Sequence, residues 1–323
     1  MGEFRQTRRA TVDGFSLTKR PVDGRADVIA IGLHLGDIGD HDVDRHERPG
    51  YQVVSHIKGG TSLSKAFGII ERFSEDVDIV IPVLATPDAR VPSKSGRQAA
   101  LKAATSGVTT ALHIPNERAG GREGVDLHWR WTYPSQYPLP SGLEQYVRVE
   151  LTVMGGDQPA AARTVRSMLA EHVSVDPAFV GFPDYSDLAS IEALTLAPER
   201  TLVEKLAMLH DAASKRHDQR LVKGGRHFYD VACLLKHGPV IEQLTPENVA
   251  ALAADADRWS ERGRYAFEPR PDNGFGCSPA FQDRSLRPYI EQGYNDAMMW
   301  VWSDDRPSLQ ECLDGVEAAA HLL

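Results

Sequence analysis

A chain of 323 residues, 41% hydrophobic and 25% charged, has the make-up of a globular protein and can bury one large core or two ordinary ones. No apolar run is long enough to span a bilayer, which excludes a helical membrane protein, and a net charge of −9 excludes non-specific wrapping of nucleic acid while leaving room for a local basic patch. Cys233, Cys277 and Cys312 are widely spaced and odd in number. They form neither a disulfide framework nor a metal-ligand spacing, and the N-terminus lacks the apolar core of a signal peptide, so the expected compartment is the reducing cytoplasm.

In chain order, residues 1–50 are rich in Arg, Asp, Gly and His. Only 27–33 looks fit for burial. The His/Asp run 36–46 reads as a solvated or disordered arm rather than a metal site, because no regular element holds a ligand spacing. A strand over 51–57 runs into Gly59-Gly60. A helix over 61–72 follows, with Leu63, Phe67, Ile69 and Ile70 as its apolar side and Thr61 or Ser62 as its N-cap. The next strand, 77–84, is stopped by Pro82 and Pro87.

Asp76 and Asp78 open that strand. Residues two apart on a strand share a face. Two adjacent carboxylates repel unless cations or protons settle between them, and hard oxygen donors suit Mg²⁺ or Mn²⁺ completed by a phosphate. A Gly-Gly turn leading into a helix offers backbone N–H groups to such a phosphate. Each half alone has a plain reading, a strand-to-helix turn and a pair of solvated acids. Together, separated by one short helix, they describe a nucleotide-handling site.

Beyond the pair, a helix over 95–112, a loop over 120–124 and strands over 128–133 and 146–154 are expected. In the last, Arg148, Glu150 and Thr152 share one face, with the valines and Leu151 on the other. Glu150 is a candidate third carboxylate beside Asp76 and Asp78, or a solvent-facing strand acid. A helix over 160–172, a strand over 189–196 and helices over 198–215, 226–236 and 245–262 follow, the last capped by Thr245. A Pro/Gly-rich loop over 266–279 and helices over 282–300 and 307–321 close the chain. The expected division is an irregular arm 1–50, an α/β core 51–190 and a helical domain 191–323.

Four blocks now stand in order: Gly59-Gly60-Thr61-Ser62-Leu63-Ser64-Lys65; Arg72-Phe73-Ser74-Glu75-Asp76-Val77-Asp78; Ala197-Pro198-Glu199-Arg200-Thr201-Leu202-Val203-Glu204-Lys205-Leu206; and Arg226-His227-Phe228-Tyr229-Asp230-Val231. Together they resemble the AbiEii/AbiGii toxin family of nucleotidyltransferases, over roughly 51–320. The resemblance implies an α+β fold, a polymerase-β-like core with a helical C-terminal half. It implies the toxin of a bacterial toxin–antitoxin or phage-defence pair that transfers a nucleotide from an NTP, with tRNA as the acceptor and a cognate antitoxin as partner.

Carried over by motif, Gly59, Gly60, Thr61, Ser62 and Lys65 would hold the triphosphate. Asp76 and Asp78 would hold Mg²⁺ or Mn²⁺, Lys205 would reach the phosphates and Asp230 would complete the site. Residues 1–50 do not resemble the helical segment the family has there. Lys205 has a plainer alternative as a lysine snorkelling from an apolar helix face, Asp230 as a helix-surface acid, and His227 receives no catalytic role. Two basic clusters are candidates for an RNA end, Lys215, Arg216, Arg220, Lys223 and Arg226, and Arg90, Lys94, Arg97 and Lys102, or they are solvated helix ends. The alternatives in function are a small-molecule or protein hydroxyl as acceptor, and an inactive relative that binds only nucleotide or antitoxin.

Overall fold

A computed structural model describes residues 11–12, 15–16, 33–34, 52–53, 55–74, 76–82, 92–112, 116–133, 145–153, 155–175, 189–263 and 265–323. Most of the expected arm 1–50, with its apolar stretch and His/Asp run, lies outside these residues, as do Arg90, residues 83–84 and Met154.

In chain order the strands are β1 (Thr11–Val12), β2 (Phe15–Ser16), β3 (Leu33–His34), β4 (Gln52–Val53), β5 (His56–Lys58), β6 (Asp76–Val80), β7 (Asn116–Gly120), β8 (Asp126–Thr132), β9 (Tyr146–Thr152), β10 (Ala160–Val165) and β11 (Ile191–Leu196). The helices are α1 (Gly59–Lys65), α2 (Lys94–Leu112), α3 (Met168–Val175), α4 (Pro198–Ser214), α5 (Asp218–Lys223), α6 (Gly225–Lys236), α7 (Gly238–Ile241), α8 (Pro246–Arg262), α9 (Pro279–Gln282), α10 (Arg287–Met298) and α11 (Leu309–Ala318). β1 to β4 make a small sheet in sequence order, and the remaining strands make a seven-stranded sheet in the order β10-β11-β5-β6-β9-β8-β7. The fold is α+β, as the sequence leads one to expect.

Two compact units divide the chain: 1–57, 78–153 and 162–194 form the first, and 58–77, 154–161 and 195–323 the second. The first holds the antiparallel meander β7-β8-β9, with Leu127 opposite Leu151, Trp129 opposite Val149 and Trp131 opposite Val147. Val149, Leu151 and Val153 are buried while Arg148, Glu150 and Thr152 are partly exposed, which is the alternation a half-buried strand requires. Ala100, Leu101 and Ala104 of α2 are buried in the same unit.

The second unit is helical around one core. Leu202, Leu206 and Leu209 of α4, Phe228, Val231 and Leu234 of α6, Ile290 and Tyr294 of α10 and Leu313 and Val316 of α11 are all buried in it. Pro198 stands in the first turn of α4, where its missing N–H costs nothing. Thr245 caps α8 by accepting from the Asn248 N–H, and Ser308 and Glu311 form a reciprocal capping box on α11. The three cysteines are free thiols.

Four expectations need correction. The helix expected over 61–72 begins at Gly59 and ends at Lys65. Gly68, at φ +62°, takes the left-handed conformation that stops a helix, and Ile69 N–H bonds back to Leu63 O at 2.9 Å. Its N-cap is Lys58, without a side-chain bond, rather than Thr61 or Ser62. The helix expected over 160–172 is strand β10 followed by α3. The Ala-rich stretch 160–165 is drawn into the sheet edge beside β11, where Ala197 N–H reaches Pro159 O at 2.9 Å; ladder pairing overrides helix propensity there. Finally, the single helix expected over 282–300 is α9, a 3₁₀ turn (Arg284–Leu286) and α10. Asp283 interrupts it by capping Ser285 N–H with its own carboxylate.

Candidate active site

The residues that carry chemistry in the second unit lie on the turn before α1, on the segment 71–77, on α4 and on α6. Lys58 is extended, and Gly59 then adopts φ +72°, which a side chain would disfavour. The chain therefore passes from strand to helix with no intervening loop. Inside α1 the hydroxyls donate to carbonyls instead of capping: Ser62 Oγ to Gly59 O at 2.9 Å, and Thr61 Oγ1 to Asp76 O. Thr61 thus ties the first turn of α1 to the first residue of β6.

Lys58 Nζ donates to Glu204 Oε2 at 3.2 Å, and Arg200 Nε to Glu204 Oε1 at 3.1 Å. Arg200 is itself buried, with Nη1 2.9 Å from Asp255 Oδ2 and 2.5 Å from Gln158 O. Burial opposes ionisation of Glu204, but Lys58 and Arg200 outweigh it and hold the carboxyl below its ordinary range. Through this chain the end of β5 is fastened to α4 one residue ahead of Lys205.

Lys205 is buried because its neighbours on α4 face the core. Its Nζ donates to Asp230 Oδ2 at 2.7 Å. Asp230, on the equally apolar α6, is 0% exposed. Arg72 closes on the same carboxylate as a fork, Nε to Oδ1 at 2.6 Å and Nη2 to Oδ2 at 2.7 Å, while its Nη1 donates to Phe73 O at 2.9 Å. Arg72 can lie there because Gly60 has no side chain: a Cβ would sit 2.8 Å from Arg72 Nη2 and 2.8 Å from Ser74 Oγ. The segment is pinned further by Glu71 N–H donating to Tyr229 Oη at 3.2 Å, and by a bridge between Arg72 and Val301.

Burial opposes the charge on Asp230, yet Arg72 and Lys205 hold it ionised well below the usual carboxylate range. Burial pushes the Lys205 ammonium down; Asp230 counters this, and Arg72 and Arg226 add to it. His227, one turn before Asp230, is driven down to about 3 by burial and by Lys205, so it is neutral. Its Nδ1 is 3.3 Å from Lys205 Nζ. An ammonium only donates, so Nδ1 accepts and the ring proton is on Nε2.

Asp76 and Asp78 are two apart on β6 and partly exposed. Arg226 Nη2, on a half-exposed side chain of α6, lies 3.8 Å from Asp76 Oδ2. The structure therefore places Gly59, Gly60, Thr61, Ser62, Asp76, Lys205 and Asp230 in the second unit, whereas Asp78, two residues along β6, is counted with the first. Lys65, at the far end of α1, sets its ammonium 5.5 Å from the centre of the Trp302 ring. Glu150 belongs to β9 of the first unit, opposite His128, with Oε1 3.9 Å from His128 Nδ1. Among the described residues, no three His, Cys, Asp or Glu side chains group as a ready metal shell.

The expected basic clusters are largely spent on ion pairs. Lys215 and Arg220 both contact Asp211 at 2.5 Å, and Arg216 contacts Asp283 at 2.8 Å. Lys94 contacts Glu123 at 2.6 Å, and Arg97 donates to the backbone of Gly124 and Pro92. Sequence reasoning missed Arg72, Glu204 and the neutral His227. Arg72 stands inside the second block only as a neighbour of the acids, and no local spacing pairs it with Asp230, 158 residues away.

A family model described as nucleotidyl transferase AbiEii toxin, type IV toxin–antitoxin system, matches residues 56–303. No curated protein matches the chain. Among solved structures, MenT4, a nucleotidyltransferase toxin from Mycobacterium tuberculosis H37Rv, is similar at 15% identity and a TM-score of 0.30, over 81% of this chain and 84% of that one. With the family match spanning most of its length, the chain belongs to the AbiEii family of nucleotidyltransferase toxins of type IV toxin–antitoxin systems.

Proposed function

We propose that the chain transfers a nucleotide from an NTP to tRNA, releasing pyrophosphate, and acts in the bacterial cytoplasm as the toxin partner of a cognate antitoxin. The observation that carries this reading is the convergence of the Gly59-Gly60 turn, Asp76, Lys205 and Asp230 in one compact unit. Residues 51–190 serve as a polymerase-β-like core, 191–323 as a helical domain and 1–50 as an N-terminal arm.

Asp76 and Asp78 present hard oxygen donors on one face of β6, a donor set that fits Mg²⁺ or Mn²⁺, with Glu150 as the proposed third ligand. When bound, such an ion supplies charge neutralisation at the α-phosphate and acidifies the attacking hydroxyl. The protein's own groups do the rest. Gly59 to Ser62 and Lys65 hold the triphosphate. The acceptor oxygen bonds to the α-phosphorus as the bond to the β-phosphate oxygen breaks. Pyrophosphate leaves, and the hydroxyl proton passes to solvent. Lys205 offsets the charge that grows on the leaving pyrophosphate, and its bond to Asp230 sets where the ammonium stands.

The test is incubation of the protein and its Asp78→Ala variant with each labelled NTP, Mg²⁺ and total bacterial tRNA. Label on RNA that disappears with Asp78→Ala, at an unchanged melting temperature, is the expected result. Full transfer by the variant would sink the metal-ligand assignment. No label on RNA from folded, nucleotide-binding protein would replace tRNA with a protein or small-molecule hydroxyl.

A further inference from the structure

The cluster around Asp230 holds more positive charge than it can neutralise internally. One carboxylate, 0% exposed, meets two cations whose side chains are 4% and 5% exposed. His227 is neutral and cannot help. Among the described residues, Asp230 is the acidic side chain that acts on Lys205, while Arg72 and Arg226 oppose its charge. Geometry decides which cation Asp230 serves. Arg72 takes both oxygens in a planar fork, the strongest arrangement available to a carboxylate. Lys205 makes a single bond to an oxygen already engaged.

We propose, on the reading that Lys205 meets the triphosphate, that Arg72 is a positioning residue for nucleotide binding: by occupying both oxygens of Asp230 beneath Gly60, it leaves the Lys205 charge for the anion. One guanidinium thereby couples the two halves of the triphosphate site. It packs against Gly60 on the turn side, and it neutralises Asp230 on the lysine side. Without Arg72 the pair Lys205–Asp230 is complete by itself. The lysine becomes a buried ion-pair partner and has little attraction left for phosphate.

This makes a distinctive prediction. Removing Arg72 leaves a balanced buried pair, so the fold should survive. Removing the Asp230 charge as well should free Lys205 again. The experiment measures the dissociation constants of the four common NTPs with Mg²⁺, by calorimetry, for the full chain and for Lys205→Met, Arg72→Leu and Arg72→Leu/Asp230→Asn, with thermal melting of each. Charge-assisted bonds of this kind set the expected scale, a loss of about tenfold or more for Lys205→Met and for Arg72→Leu. The double variant should recover most of the Arg72→Leu loss, which a merely structural arginine would not allow.

Normal NTP binding by Arg72→Leu, or equal weakness of the single and double variants, overturns the proposal. Normal binding by Lys205→Met overturns instead the reading beneath it. If Arg72→Leu does not fold, Arg72→Lys takes its place. Lysine keeps the charge but cannot fork, so weaker binding that Asp230→Asn relieves supports the proposal, and binding equal to that of the unaltered chain overturns it.

Discussion

Two buried aspartates in the second unit each hold two cations, in opposite surroundings. Asp211 accepts from Lys215 and Arg220 at 2.5 Å each and from the Glu268 N–H at 3.0 Å. Both of its cations are 40% exposed, and Lys215 also lies 3.8 Å from Glu268 Oε1. The excess positive charge there is shared with water and a second acid, and the arrangement ties α4, α5 and the segment after α8 together. Asp230 has the same composition with the water removed. A buried charge cluster that does not balance costs stability, so structural need explains the first cluster and leaves the second unexplained. A site built to receive a polyanion accounts for it.

The largest effect that separates the two is on stability. Asp230→Ala strands two buried cations and should cost about 3–5 kcal/mol. Asp211→Ala releases half-exposed cations to water and loses chiefly one backbone bond, about 1–2 kcal/mol. Denaturant unfolding of both variants checks this, and equal losses would erase the distinction drawn between the clusters.

Next in size is activity. Lys205→Met should lower kcat/KM for transfer by about 10²–10³ with little change in stability, since Asp230 keeps Arg72. Lys215→Met should leave transfer unaltered. Steady-state kinetics on the pair would break the comparison if Lys215 mattered as much as Lys205.

The smallest effect is a pH dependence. His227 titrates near 3 in the fold and near 6.5 when unfolded. Between those values the unfolded chain binds a proton that the native one refuses. Stability therefore rises with pH across this window and is lost as pH falls, by about 2 kcal/mol at pH 5 relative to neutrality. The depressed carboxyls of Asp230 and Asp211 act elsewhere. Their contribution is present above the ordinary carboxylate range and is lost only as pH falls through their folded values. His227→Gln, which keeps an acceptor for Lys205, should flatten the difference between unfolding free energies at pH 5 and pH 7. An unchanged difference would show that His227 is not the buried neutral base described here.

Much of this arrangement is legible in local sequence. The Gly-Gly turn, the Asp76/Asp78 spacing, the Pro198 start of α4 and the apolar stripes of α4 and α6 are short-range patterns. The face alternation of β9 is equally local. The failures share a cause. The stretch 160–165 has helix-forming residues, yet strand pairing with β11 overrides them, and that pairing depends on residues thirty positions on. The helix after Gly60 stops early because Gly68 takes a left-handed conformation, although the apolar spacing continues past it. The basic run 215–226 reads as an exposed patch until its acidic partners, Asp211 and Asp283, are placed beside it.

The sequence by itself determined the α+β class, the family and the order of the blocks, because turn chemistry, strand alternation and helix amphipathicity act over a few residues. Only the tertiary structure decided that Arg72 and Lys205 converge on Asp230, that Glu204 binds Lys58 to α4, and that His227 is neutral. Charge state and ion pairing inside a protein are set by burial and by partners far along the chain, and neither is a property of any residue's sequence neighbours.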